Sequence, residues 1–120
     1  MKVVSIKELI KKVLAFGTIS TAVPTKTNSN VWKSGTITFY RRSGLVTVKF
    51  NAVVLGTISA RTDFAIIPEG YRPITETGGI LDSSNLWFFC RPNGTLAINP
   101  VTASTTVWGA VTYMIPGGSA

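Results

Sequence analysis

The feature that most constrains this chain is a series of short segments in which apolar and polar residues alternate with a period of two. In residues 36–41, for example, Ile37 and Phe39 alternate with threonine and tyrosine. Such alternation is typical of a strand with one buried face. Comparable segments recur roughly every ten residues, which gives about seven short strands separated by turn residues. The pattern predicts a mainly β protein, a sandwich or barrel with jelly-roll-like or Greek-key connections.

Two pairs of these segments are predicted to form hairpins. The first joins residues 36–41 to residues 46–50 across Arg42–Ser43–Gly44. The second joins residues 85–91 to residues 95–99 across Pro92–Asn93–Gly94, and an Asn-Gly pair between apolar runs is a strong hairpin signal. Further strands are predicted at residues 53–58, 62–67, 78–81 and 107–115. The strand at 62–67 ends in a rigid, proline-bounded corner at residues 68–73.

Composition agrees with a sheet protein and indicates self-association. Charged residues make up 14% of the chain, about half of the usual share of roughly a quarter. Threonine, valine, isoleucine and glycine are abundant, and β-branched side chains suit a pleated surface. So few charges suggest that some apolar surface stays uncovered in a monomer, which favours an oligomer.

Residues 5–16 carry a clear helical pattern. Ser5 and Glu8 can form a capping box, and Gly17 can end the helix. An apolar stripe at heptad spacing runs along one face: Ile6, Leu9, Val13 and Phe16. Two heptads cannot hold a coiled coil together alone, so the stripe is expected to pack on the domain or on copies of itself. A helix lying on a membrane surface is the alternative.

These patterns divide the chain into four parts. Residues 1–17 are predicted to form an amphipathic neck helix, and residues 18–34 a linker or an extended segment laid over a neighbour. Residues 35–116 are predicted to form the β head domain. Residues 117–120 are expected to be a flexible tail.

The charge distribution does not favour nucleic acid as a partner. The net charge is +7, and residues 1–30 hold five lysines against one glutamate. A nucleic-acid binder is expected to gather its bases on the folded surface beside stacking aromatics. A solvated face of the short helix is therefore the simpler interpretation, with DNA binding through that helix as an alternative.

Several other classes of function are disfavoured by what the sequence lacks. There is no histidine, and Cys90, the single cysteine, lies in an apolar run that predicts burial. The five acidic residues are scattered singly, so no carboxylate pair or metal-ligand cluster can be argued from spacing. We therefore expect no enzyme, no metal and no cofactor. Charged residues interrupt the N-terminal apolar positions, so neither a signal peptide nor membrane insertion is expected.

A candidate binding surface lies in the predicted strand at residues 85–91. Alternation assigns Leu86, Phe88 and Cys90 to the core side and leaves the other face to Asn85, Trp87, Phe89 and Arg91. Aromatic faces stack on sugar rings, and amide or guanidinium groups bind hydroxyls, so Asn85, Trp87 and Arg91 are predicted to bind a saccharide. The alternative is that this face fills a core or a subunit interface. Arg61 and Asp63, which share one side of their strand, form either a second hydroxyl-binding pair or an ordinary surface ion pair.

The order of three segments resembles a known family. These are Ile67–Pro73 after a strand, Gly94–Ile98, and Val107–Tyr113 near the end. Over residues 30–116 this order resembles the head domains of tail-tip receptor-binding and baseplate proteins from phages of Gram-positive bacteria, lactococcal siphophages above all.

The resemblance implies a homotrimeric, jelly-roll-like head on a virion tail tip, bound to other tail or baseplate proteins. Its implied function is host adhesion through a cell-wall saccharide or a teichoic-acid-type polymer. Sites in such relatives often include a histidine, which this chain lacks, so no binding residue is transferred by motif. The alternative function is a structural baseplate or capsid-decoration protein that does not bind glycans.

Overall fold

The computed structural model describes residues 19–81 and 86–116, and within those ranges the regular structure consists of nine strands. They are β1 (Ser20–Ala22), β2 (Thr25–Lys26), β3 (Trp32–Arg42), β4 (Leu45–Leu55), β5 (Thr62–Ile66), β6 (Thr77–Leu81), β7 (Leu86–Cys90), β8 (Thr95–Ile98) and β9 (Thr105–Met114). The predicted neck helix with Ile6, Leu9, Val13 and Phe16, the candidate Asn85 and the tail lie outside the described residues.

The strands form two antiparallel sheets packed as a sandwich. One sheet has the order β1-β3-β4-β9, and the other has the order β2-β5-β8-β7-β6. The prediction of a mainly β sandwich is confirmed. Within the described ranges, no helix is long and apolar enough to cross a membrane.

The long hairpin of β3 and β4 follows the predicted alternation. Phe39 pairs with Val48 and Ile37 with Phe50, and all four side chains are buried. The hairpin turns at Ser43 and Gly44, where Ser43 adopts a left-handed φ of 55°. The inward residues form the core side of the four-stranded sheet because cross-strand partners point to the same face.

The separate strand predicted at residues 53–58 is wrong. Residues 53–55 continue β4 beyond a bulge, where the register with β9 shifts between Phe50 and Val53. Ala52 adopts a left-handed φ of 50° there, so the polar Asn51–Ala52 pair bends the strand without ending it. Ile58 forms only an isolated bridge with Val101.

Two short strands lie within the segment predicted as a linker or an extended segment. In β1, Thr21 pairs with Tyr40 of β3, and in β2, Thr25 pairs with Ile66 of β5. Since β1 and β2 belong to different sheets, residues 20–26 bridge the two layers along one edge. The regular part of the sandwich therefore begins before residue 35, although the division into neck, linker, head and tail stays a prediction.

The second predicted hairpin, β7 and β8, is confirmed. Cys90 pairs with Leu96, and the turn between the strands holds Gly94 at a left-handed φ of 93°. Leu86, Phe88 and Cys90 are buried as predicted, while Trp87 is exposed. Strand β7 thus presents one side to the core and the other to solvent.

Aromatic side chains join the two sheets at the centre of the core. The ring of Phe50, from the four-stranded sheet, lies 4.5 Å from Phe88 and 6.5 Å from Phe64, both from the five-stranded sheet. Trp32 meets Phe64 edge-on at 6.3 Å. These contacts pack the inner face of the five-stranded sheet against the four-stranded sheet. The outer face of the five-stranded sheet points to solvent.

A candidate binding site on the outer face of the five-stranded sheet

Four strands of the five-stranded sheet align one row of residues across its outer face. Asp63 of β5 pairs with Ala97 of β8, Ala97 pairs with Phe89 of β7, and Phe89 pairs with Gly78 of β6. Residues in register across adjacent strands share a face. The row therefore places the Asp63 carboxylate and the Phe89 ring on the same outward surface, with a small alanine between them.

The guanidinium of Arg61 covers the ring of Phe89. Its Cζ atom lies 3.7 Å from the ring centroid, which is close enough for a cation–π contact. Arg61 comes just before β5, so the contact ties the start of that strand to β7 across the intervening β8. One face of Phe89 is thus occupied by a cation and is not open to a ligand.

A chain of ion pairs surrounds this stacked pair. Arg61 Nη2 lies 3.0 Å from Glu76 Oε1, and Arg91 Nε lies 3.0 Å from the same oxygen. Arg91 Nη1 lies 2.9 Å from Asp63 Oδ1. The alternative of an ion pair between Arg61 and Asp63 is wrong, because each binds a residue of another segment instead. Asp63 pairs with Arg91, and Glu76 pairs with Arg61.

Trp87 lies next to this network on the outer side of β7. It is two residues before Phe89, which on a strand means a side chain about 7 Å away on the same face. The indole is 42% exposed and pairs across strands with Ile80, which is 44% exposed. A Cβ atom on Gly78 would lie 3.2 Å from Trp87 and 3.3 Å from Phe89, so the glycine leaves room for both rings above β6.

The site therefore combines one open aromatic face with acceptors and donors for hydrogen bonds. Asp63 and Glu76 are about half exposed, and among the described residues the second oxygen of each carboxylate has no hydrogen-bond donor. The ion pairs hold the four charged groups in fixed positions. This chemistry suits a ligand with an apolar ring face and several hydroxyl groups, because a stacking surface and carboxylate acceptors can act on it together.

The structure brings most of the predicted site residues together. Arg61, Asp63 and Arg91 meet in one network, and Trp87 lies beside it on the same face. Glu76 was missed. The register of the β6–β7 hairpin would have identified it. Leu81 pairs with Leu86 and Thr77 with Cys90, so the next position places Glu76 opposite Arg91. That register cannot be derived from the sequence until the connection between the two strands is known.

Four other tryptophan and tyrosine residues lie away from this face. Trp32 and Tyr113 are buried in the core, whereas Tyr40 and Trp108 are exposed on the four-stranded sheet. Cys90 is buried, and burial raises the pKa of its thiol to about 12, which keeps it protonated at neutral pH. Within the described ranges, no three histidine, cysteine, aspartate or glutamate residues come close enough to hold a metal ion.

The fold is similar to that of a known phage protein domain. The crystal structure of the head domain of phage bIL170, from a study of the receptor-binding domains of lactococcal phages, aligns with 82% of this chain and 99% of its own. The TM-score is 0.58 and the sequence identity is 15%, so the likeness concerns the fold. It confirms at that level the resemblance to lactococcal phage heads. No protein-family model matches the chain, and neither does any curated protein.

Proposed function

We propose that this chain is the head of a phage receptor-binding protein that adheres to a saccharide on the host surface. The likeness to the head of phage bIL170 supports a receptor-binding role on the virion tail. The observation that carries the saccharide proposal is the exposed indole of Trp87 beside the network of Arg61, Asp63, Glu76 and Arg91.

In this proposal Trp87 stacks against the C–H face of a sugar ring. Trp87 pairs across strands with Ile80, and the covered ring of Phe89 lies two residues further along the same face of β7, so the indole has apolar neighbours on two strands. An indole that stays exposed on a folded domain costs solvation free energy, which contact with the apolar face of a sugar recovers.

The charged network supplies the directional part of recognition. The free oxygens of Asp63 and Glu76 accept hydrogen bonds from sugar hydroxyls, while the remaining N–H groups of Arg61 donate to ring or glycosidic oxygens. Since the guanidinium groups are already held in place, little side-chain freedom is lost on binding. Binding of this kind is reversible adhesion without catalysis or a cofactor.

The finer parts of the proposal concern assembly. The head acts as a homotrimer attached to other tail or baseplate proteins, and the predicted N-terminal neck joins the three copies. Trimeric display raises weak binding at each site to useful avidity, because linked sites bind at a high effective concentration. Neither membrane insertion nor binding to nucleic acid belongs to this function.

The decisive experiment compares two exposed tryptophans. Trp87→Ala removes the proposed stacking platform, and Trp108→Ala removes an indole of similar exposure, 46%, from the other sheet. Binding of the purified protein to isolated host cell walls is measured by sedimentation with the walls, and binding to purified wall saccharides by calorimetry. We expect Trp87→Ala to weaken both by about tenfold or more, as for a buried aromatic contact, and Trp108→Ala to change them by less than about twofold.

The competing function is a structural virion component in which this face contacts another subunit. It predicts that the unmodified protein binds no wall preparation, and that Trp87→Ala alters assembly with tail proteins. Circular dichroism of both variants checks that the fold is retained. Equal loss in the two variants would also reject the proposed site.

A further inference from the structure

A second cleft lies at one end of the sandwich, away from the proposed saccharide site. It has a volume of about 270 Å³ and is bounded by the corner at residues 68–73, the turn between β7 and β8, and the end of β9. Its charged residues are Arg41, Arg72 and Glu69, and Pro92, Ile115 and Pro116 form its apolar wall. The proline-bounded corner at residues 68–73 stands out in the sequence, and it takes no part in the proposed saccharide site.

Arg41 reaches this cleft because it is on the inner side of β3. It pairs across the sheet with the buried Val46, so its side chain points between the two layers at their open end. Its Nη1 donates to the carbonyl of Gly70 at 3.0 Å, and its Nε donates to the carbonyl of Ser43 at 3.3 Å. These bonds hold the guanidinium against the corner, and Nη2 has no hydrogen-bond acceptor among the described residues.

Arg72 enters the cleft from the corner itself. Its Nε donates to the carbonyl of Ile67 at 3.0 Å, and neither Nη group donates a hydrogen bond to any residue that the structure describes. The guanidinium packs against Gly94, where a Cβ atom would lie 2.5 Å from Cζ. The side chain is therefore held in position by a hydrogen bond on one edge and by the backbone of the β7–β8 turn.

Neither guanidinium is neutralised within the described part of the chain. All the ion pairs found there belong to Arg61 and Arg91, and Glu69, although it lines the same cleft, lies beyond 4.0 Å from both arginines. Both half-buried guanidinium groups line the same cleft, so an anion bound there is attracted by both charges. Guanidinium forks match the geometry of a tetrahedral oxyanion and donate two parallel bonds to it.

We propose that this cleft is a binding site for a phosphoryl group, held by Arg41 and Arg72. The apolar wall of Pro92, Ile115 and Pro116 would contact the carbon skeleton that carries the phosphoryl group. Glu69 lowers the affinity by its negative charge. The site is separate from the outer face of the five-stranded sheet, so this proposal does not depend on saccharide binding there.

The test titrates the whole chain with inorganic phosphate, using sodium chloride at the same ionic strength as the reference. Binding is followed by the amide resonances of Gly70 and Gly94 in ¹H–¹⁵N spectra. We expect saturable shifts with a dissociation constant of about a millimolar or below, a value typical of a weak single site. Trp87→Ala should leave this constant unchanged.

Four variants make the result specific. Arg72→Gln and Arg41→Gln should each weaken phosphate binding by about tenfold or more, as loss of a charge-assisted hydrogen bond does. Arg42→Gln removes the same charge from an exposed residue on the outer side of β3 and should change the constant by less than about twofold. Glu69→Gln breaks no hydrogen bond found in the described residues and should tighten binding about two- to fivefold.

Glu69→Gln also keeps the proposal testable if the two arginine variants fail to fold. The proposal is overturned if phosphate causes no saturable shift, or if Arg42→Gln weakens binding as much as Arg72→Gln does. It is equally overturned if Glu69→Gln leaves the affinity unchanged or lowers it.

Discussion

At the scale of single residues, the Cys90 thiol and the Tyr113 hydroxyl form a buried pair between the two sheets. Burial raises the pKa of Cys90 to about 12, and burial together with the neighbouring thiol raises the pKa of Tyr113. Tyr113 donates its hydroxyl hydrogen to the backbone carbonyl of Tyr71. Both groups therefore stay protonated at neutral pH and serve packing, because ionising either would place a charge among apolar side chains.

This environment predicts a particular loss of stability at high pH. The thiol has a pKa of about 12 in the folded chain against an ordinary value of 9.0, so the unfolded chain releases the proton first. The stability that the neutral thiol contributes is complete below about pH 9 and disappears as the pH rises towards 12. The free energy of unfolding should fall by up to about 1.4 kcal/mol per pH unit in that window from this group alone.

Urea unfolding of the unmodified chain and of Cys90→Ser, at several values from about pH 8 to 10.5, measures the effect. Burial is the largest cause of the raised pKa of Tyr113, so this residue stays protonated in both folded proteins over this range. The difference between the two free energies therefore isolates the ionisation of Cys90. That difference should change above about pH 9 in the direction that destabilises the cysteine protein. A difference that stays constant with pH would contradict the assignment.

At the scale of elements, β3 and β4 are eleven residues long each. They stay paired over this length because the register shifts of β3 lie opposite the bulge of β4. The register between β3 and β4 shifts on both sides of Ser34, next to Gly35, and β4 has its bulge at Ala52. Gly35 adopts a φ of 89°, and a Cβ atom there would overlap the carbonyl oxygen of Ala52. The glycine therefore permits both a left-handed backbone and a close approach of the two strands.

A matched pair of glycine substitutions separates these two effects. Gly70 has the same φ of 89° but faces only the Arg41 side chain, at 3.2 Å. Gly70→Ala should cost about 1–2 kcal/mol from the backbone conformation alone. Gly35→Ala should cost about 3 kcal/mol or more, since the bulge must also open. Chemical denaturation measures both, and equal costs would show that the backbone conformation alone accounts for the glycine.

At the scale of the whole molecule, the sandwich presents two surfaces with different chemistry. The outer face of the five-stranded sheet offers an indole and a network of paired charges, whereas the cleft at the sandwich end offers two guanidinium groups that form no ion pair with a described carboxylate. Both surfaces are small, so the affinity of one copy for a host surface is expected to be low. Under the proposed function, adhesion would then depend on how many copies bind together.

The apolar stripe of the predicted neck helix allows a test of whether wall binding depends on the number of linked copies. Replacing Ile6, Leu9, Val13 and Phe16 together by serine should convert a trimer to a monomer. Wall binding should then fall by about a hundredfold or more, while the affinity of one site for a soluble saccharide stays the same. Sedimentation equilibrium gives the mass of each protein. A monomeric wild-type chain, or an unchanged mass in the variant, would refute the proposed neck.

The predictions from sequence were most reliable where local chemistry decides the structure. The β3–β4 and β7–β8 hairpins followed from alternation and from the turn residues between the strands, and Leu86, Phe88 and Cys90 are buried as expected. The error at residues 53–58 arose because a bulge and a strand end look alike in sequence. Only pairing with β3 on one side and β9 on the other shows that residues 53–55 continue β4.

The sequence by itself determined the two hairpins, β3–β4 and β7–β8, and the core side of their strands, because alternation and turn chemistry act over a few residues. Only the tertiary structure decided which strands are neighbours. The order β5-β8-β7-β6 brings Asp63 and Glu76 to Arg91, and the packing of one sheet on the other turns Arg41 and Arg72 into one cleft. These contacts and this cleft join residues that are far apart along the chain. They depend on burial of the shared core, which no local sequence pattern specifies.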